Sequence, residues 1–155
     1  MFREILYPTD FSENAIKALE YVKKLKEAGT QEILIVHIYD KKKINALWEA
    51  QEIIDFGPPN LEEKKVVDKM LSHSYNRLVR LEEDLKKLGF KVEIIVKEGD
   101  PPREIAKIAE EEKVSLIVVG EKGESALEQL FLGSTAGKIV RDSPVPVLVV
   151  KMQEN

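Results

Sequence analysis

The sequence predicts an α/β domain with a parallel sheet between layers of helix. Short β-branched apolar runs alternate with longer stretches of helical period along the chain. One run, Ile33-Leu34-Ile35-Val36-His37-Ile38-Tyr39, lacks polar alternation, as in a strand covered on both faces. Helical connections between successive strands force parallel pairing and place the helices on the sheet faces. At 155 residues the chain has the length of one domain with one core, spanning 1–155 with a variable excursion at about 40–60.

Glu4 to Tyr7 is the first strand, and it runs into Pro8-Thr9-Asp10-Phe11-Ser12, where Pro8 is expected to end the pairing and Asp10 or Ser12 to cap a helix. Ala15, Ile16, Leu19, Val22 and Leu25 give that helix its apolar spacing, and Gly29 stops it. After the second strand, the pattern dissolves through Lys41-Lys42-Lys43, Trp48 and Gly57-Pro58-Pro59. Helical spacing returns from Leu61 to Leu88, stops at Gly89 and feeds a third strand, Lys91 to Val96. Gly99-Asp100-Pro101 marks a turn in which Asp100 caps and Pro101 opens a helix with Ile105, Ile108 and Ala109 as its buried stripe. Leu116 to Val119 is the fourth strand. A last helix, Ser134 to Arg141, is stopped before Pro144, and Val147 to Val150 is the fifth strand.

Composition narrows the function. With 43% hydrophobic and 34% charged residues the chain is globular. No apolar run reaches the roughly 20 residues of a membrane span, and Met1-Phe2-Arg3-Glu4 lacks the basic-then-apolar order of a signal peptide, so a cytoplasmic protein without membrane contact is expected. The absence of cysteine excludes disulfides, thiolate metal sites and a cysteine nucleophile. A net charge of −4 gives no overall attraction to nucleic acid, and Lys41 to Lys43 reads as a solvated stretch. His37 and His73 form no pair at metal-ligand spacing and read as structural; no metal site of the protein's own is expected.

Ligands of open α/β sheets collect at the carboxyl ends of strands where the winding reverses, which directs attention to the loops after Tyr7, Tyr39 and Val119. The last of these holds Gly120-Glu121-Lys122-Gly123-Glu124-Ser125, and Gly133-Ser134-Thr135 follows at the head of the final helix. Glycines let a phosphate approach the backbone, and a helix N-terminus offers unpaired N–H groups with a partial positive charge. Three glycines at fixed spacing followed by Ser or Thr occur by chance with a probability on the order of 1% or less.

Gly120-x2-Gly123-x9-Gly133-Ser134 resembles the ATP-binding signature of the universal stress protein family. Ile5-Leu6-Tyr7-Pro8-Thr9-Asp10-Phe11-Ser12, Gly99-Asp100-Pro101 and Ser143-Pro144-Val145-Pro146-Val147-Leu148-Val149-Val150 are similar to that family as well. The resemblance implies a Rossmann-like, open five-stranded parallel sheet in the order 3-2-1-4-5, with helices on both faces. It further implies a nucleotide cleft beside the first and fourth strands and a homodimer formed through Val147, Leu148, Val149 and Val150. Pro8, Thr9 and Asp10 would line the adenine and ribose side with the Ile38 backbone. Gly120 would meet the ribose, and Lys122, Gly123, Gly133, Ser134 and Thr135 the phosphates.

The ligand implied is ATP, or ADP or AMP, with Mg²⁺ as a companion cation. The family often has Ser-His between its first two glycines and Arg or Lys after the second, where this chain has Glu121-Lys122 and Glu124. Two like charges about 4 Å apart at an effective dielectric of about 20 cost about 4 kcal/mol, so these carboxylates bear on how many phosphates are held. The expected function is a stress-response regulator whose conformation or partner binding follows its nucleotide, rather than an enzyme. A dimeric interaction module without nucleotide and a slow ATPase are the alternatives. No Gly-x4-Gly-Lys-Ser/Thr loop, Gly-x-Ser-x-Gly elbow or His-Glu-x2-His helix is present, and no catalytic residue is assigned.

Overall fold

The computed structural model describes residues 1–39, 61–121 and 133–152, with residues 61–71 of the long helix as backbone only. The excursion at 40–60, with Lys41 to Lys43 and Trp48, lies outside the described residues, as do Lys122, Gly123, Glu124 and Ser125. The elements run β1 (Glu4–Pro8), α1 (Glu13–Lys24), β2 (Glu32–Tyr39), α2 (Leu61–Lys87), β3 (Lys91–Glu98), α3 (Pro101–Glu111), β4 (Leu116–Gly120), α4 (Ser134–Asp142) and β5 (Val147–Val150). All strand pairs are parallel, and the order is β3-β2-β1-β4-β5, as the family resemblance implies.

Period-2 alternation of side chains divides the core between the two sheet faces. Ile5, Tyr7, Ile33 and Ile35 meet Ala18 and Val22 of α1 and Leu78 and Leu85 of α2. Leu6, Leu34, Val36, Ile117 and Val119 meet Ile105, Ile108 and Ala109 of α3 and Ala136 and Ile139 of α4. The central strands therefore need apolar residues at every position. β3, at one edge, alternates instead: Lys91, Glu93 and Val96 are exposed and Val92 is buried. Its outer position, with charges along it, shields an edge that would otherwise invite pairing.

Several local expectations are corrected. Pro8 does not end the pairing, because the N–H of Thr9 still donates to Val36 O at 2.9 Å; proline lacks its own donor, but the ladder passes to the next residue. The cap of α1 is Ser12, whose Oγ accepts from Ala15 N at 3.2 Å, while Asp10 Oδ1 accepts from Ser12 N at 2.9 Å and shapes the turn before it. Ile16 has the spacing of a core residue but is 52% exposed, flanking a shallow hollow between α1 and α2. Asp100 occupies the cap position of α3 without a side-chain hydrogen bond. α1 ends through a 3-10 turn, Leu25–Ala28, at Gly29 with φ 97°, a conformation that glycine adopts without a Cβ penalty.

Candidate functional site

The winding direction reverses between β1 and β4, which pair side by side and send their following loops to the same edge of the sheet. Pro8, Thr9, Asp10 and Gly120 are thereby brought to the carboxyl ends of neighbouring strands. Ile38 stands near the end of β2, next to β1, on the face covered by α3 and α4.

The turn after β1 is held at each residue. Thr9, only 6% exposed, accepts from Phe11 N through Oγ1 at 3.1 Å. Phe11 adopts φ 62°, the left-handed region that costs a non-glycine residue about 1–2 kcal/mol. His37 Nδ1 lies 2.8 Å from the carbonyl oxygen of Thr9. A carbonyl has no proton to give, so Nδ1 carries the hydrogen and donates. The His37 ring packs against Phe11 with centroids 5.2 Å apart, and the Arg77 guanidinium covers Phe11 at 4.2 Å. Asp10 is exposed at the tip of this turn.

Gly120 is glycine for a reason that lies within the chain. A Cβ at this position would stand 2.7 Å from the backbone oxygen of Asn14, with Asn14 C and Cβ at 2.8 Å. Asn14, in the first turn of α1, is 8% exposed, and among the described residues its Oδ1 has no hydrogen-bond partner. The first turn of α1 thus lies directly on the end of β4.

Beyond β4, Glu121 joins three elements. Its N–H donates to Val150 O and its carbonyl accepts from Gly133 N, each at 2.9 Å, while its Oε2 accepts from Met152 N at 3.1 Å. The two outer glycines of the motif are therefore brought together by the residue after the first of them. Gly133, not Ser134, is the cap residue of α4, and the first helical bond runs from Gly137 N to Gly133 O at 2.8 Å. Ser134 and Thr135 lie inside the first turn with exposed side chains. Among the described residues nothing accepts from the N–H groups of Ser134, Thr135 or Ala136. The N–H of Gly133 is committed to Glu121, so among the described residues the donors without an acceptor begin one residue later than the motif suggests. A helix N-terminus with three open donors favours an anionic oxygen.

Sequence reasoning did not find Asn14, Phe11 or Arg77, and it read His37 only as structural. A polar residue two places after a serine cap carries no mark of the strand end it touches, and positive φ at a phenylalanine has no sequence signal. Among the described residues no cluster of His, Asp or Glu could hold a metal ion, and no helix is long and apolar enough to cross a membrane.

With this geometry in place, comparison with known proteins fixes the family. The model of the universal stress protein family matches residues 1–151, and the chain belongs to that family. It is 34% identical to universal stress protein MJ0577 of Methanocaldococcus jannaschii, over 100% of this chain and 98% of the relative. The solved structure of MJ0577 superposes with a TM-score of 0.83 over 100% of this chain and 99% of that one. Two more distant structures share the fold. One is an Arabidopsis thaliana family member with AMP bound, at 15% identity and TM-score 0.64 over 97% and 92% of the two chains. The other is a universal stress protein in complex with cAMP, at 22% identity and TM-score 0.61 over 98% of each chain.

Proposed function

We propose that this universal stress protein binds an adenine nucleotide at the carboxyl ends of β1 and β4 and works in the cytoplasm as a homodimeric regulator whose conformation or partner affinity follows the nucleotide. The observation that carries the proposal is the first turn of α4 behind Gly133, whose N–H groups have no acceptor among the described residues and which stands at the carboxyl end of β4. In this reading Pro8, Thr9, Asp10 and the Ile38 backbone serve the adenine and ribose, and Gly120 lies beside the ribose. Lys122, Gly123, Gly133, Ser134 and Thr135 serve the phosphates. ATP, with Mg²⁺ as a companion cation, is the ligand proposed first, and ADP and AMP are the alternatives. The AMP and cAMP complexes of two proteins with the same fold support an adenine ligand in general.

The dimer is proposed to form through Val147 to Val150. β5 is the outer strand beside β4 among the described residues, and Val147, Leu148 and Val149 are partly buried on it, none of them fully covered. An apolar edge of this kind gains by pairing with a copy of itself.

A second reading, an interaction module without nucleotide, is favoured by one observation: Asn14 alone accounts for Gly120. The two are separated by heat-denaturing purified protein, identifying released nucleotide by chromatography, and titrating refilled protein with ATP, ADP and AMP with and without Mg²⁺. Co-purified or micromolar nucleotide, lost in Gly133→Val with the fold intact, supports the nucleotide reading. No binding of any adenine nucleotide would leave the interaction module.

A further inference from the structure

We propose that His37 is a positioning residue of the nucleotide turn, acting through Thr9 and assisted from the opposite side by Arg77; the inference rests on the nucleotide reading above. Pro8 to Ser12 is a short connection between strand and helix, and it contains a residue in a conformation disfavoured by roughly tenfold for any side chain. Phe11 holds φ 62° in the middle of it. Such a turn keeps one shape only if its surroundings over-determine it.

The surroundings do so from two separate elements. From β2, the His37 Nδ1–H donates to Thr9 O at 2.8 Å, and the ring lies against Phe11. From α2, the Arg77 guanidinium lies 4.2 Å from the centre of the Phe11 ring. Within the turn, Thr9 Oγ1 holds Phe11 N and Asp10 Oδ1 holds Ser12 N. Asp10 and the Thr9 backbone thereby stand in one arrangement before any ligand arrives, which lowers the cost of ordering them on binding. His37 touches no proposed ligand group; its contribution is the orientation of the Thr9 peptide.

The test compares His37→Leu with His37→Asn. Both lose the ring contact to Phe11, but the asparagine amide can place a donor close to where Nδ1 stands, so the pair differs in the hydrogen bond. Two quantities are read: AMP affinity by calorimetry, and the exchange rate of the Phe11 amide in ligand-free protein by NMR. Removal of the donor is expected to weaken AMP binding and accelerate Phe11 exchange, each by about fivefold, with His37→Asn restoring most of both. Should His37→Leu not fold, Arg77→Met, an exposed change that keeps the side-chain stem, is expected to move both readouts the same way by about threefold. Unchanged Phe11 exchange in both His37→Leu and Arg77→Met overturns the proposal whether or not nucleotide binds. So does equal loss in His37→Leu and His37→Asn. A parent protein that binds none of ATP, ADP and AMP while His37→Leu accelerates exchange refutes the nucleotide reading and leaves the clamp standing.

Discussion

Replacing Gly120 by alanine separates the two explanations for the first glycine of the motif. The added Cβ would lie 2.7 Å from Asn14 O and 2.8 Å from Asn14 C and Cβ. Non-bonded carbon contacts are comfortable at about 3.5–4.0 Å, so the overlap is about 0.7 Å or more with three atoms at once. Two of these are backbone atoms of the first turn of α1 and cannot rotate aside; relief requires the helix to shift against β4. Overpacking of this kind costs about 1–3 kcal/mol. Against it stands the reduced freedom of the unfolded chain, which favours alanine by about 0.4–1 kcal/mol. The net expectation is a loss of about 1–2 kcal/mol, or about 2–8 °C in midpoint for a chain of this size. Urea titration and thermal melts followed by circular dichroism measure it. In an Asn14→Gly background, only the Cβ contact is relieved and most of the penalty should remain. A Gly120→Ala protein as stable as the parent would refute the packing account, and if it also lost nucleotide it would return Gly120 to the ribose.

Tyr7→Phe removes the hydroxyl that donates to Ala15 O at 2.5 Å in the core, and should cost about 1 kcal/mol in urea titration. Burial pushes the Tyr7 phenol up from 10.0 to about 12. Its contribution is therefore fully present below the unfolded pKa and lost as pH rises from about 10 to about 12, a decline that Tyr7→Phe should abolish. Glu104, 2.7 Å from Lys97, is held below the usual carboxylate range chiefly by that hydrogen bond. Glu104→Gln should lower the melting midpoint at neutral pH, with the difference vanishing as pH falls through the folded pKa of Glu104. Glu4 has the opposite sign, since burial and then Glu32, Glu112 and Glu93 raise its pKa; Glu4→Gln should raise the midpoint at neutral pH and lose that advantage in acid. Pro146 O and Val150 O accept from Ile117 N and Glu121 N, so by strand alternation the N–H of Val149 points to the open edge. Val149→Pro should convert a β5-mediated dimer to monomer in light scattering without removing a bond to β4; a persisting dimer would place the interface elsewhere.

Periodicity made the elements legible because the core is two-faced. A run such as Ile33 to Val36 is apolar at every position only when both faces are covered, and all four residues are buried. β3, by contrast, carries Lys91 and Glu93 either side of buried Val92, and these polar positions are exposed at the edge of the sheet. The strand order came from family resemblance, since five strands of similar pattern leave order open. Ile16 satisfied the helical spacing but remains half-exposed, because a stripe tells which residues share a face and not how far the covering element reaches. At the site, the glycines were visible as residue types while their partners were not. Gly120 meets Asn14, and Gly133 meets Glu121, through contacts that depend on the tertiary placement of α1 and α4.

Glu121 shows how such contacts change the reading of a departure from a family pattern. As a bare charge between the first two glycines of the motif, it counts against a polyphosphate, by about 4 kcal/mol for a like charge about 4 Å away at an effective dielectric of about 20. In the fold its main chain bonds Val150 and Gly133, and its carboxylate accepts the Met152 N–H beyond the end of β5. A side chain engaged in this way at the junction of β4, β5 and α4 has a structural reason for its charge. Its N–H···O bond is charge-assisted and stronger than a neutral one. The bond to Met152 N–H leaves the charge of Glu121 in place, and Glu124, which follows the middle glycine with Lys122 two places before it, adds a second carboxylate to the motif. Glu121 ties the end of β4 and the start of α4 to β5, the strand proposed to make the dimer.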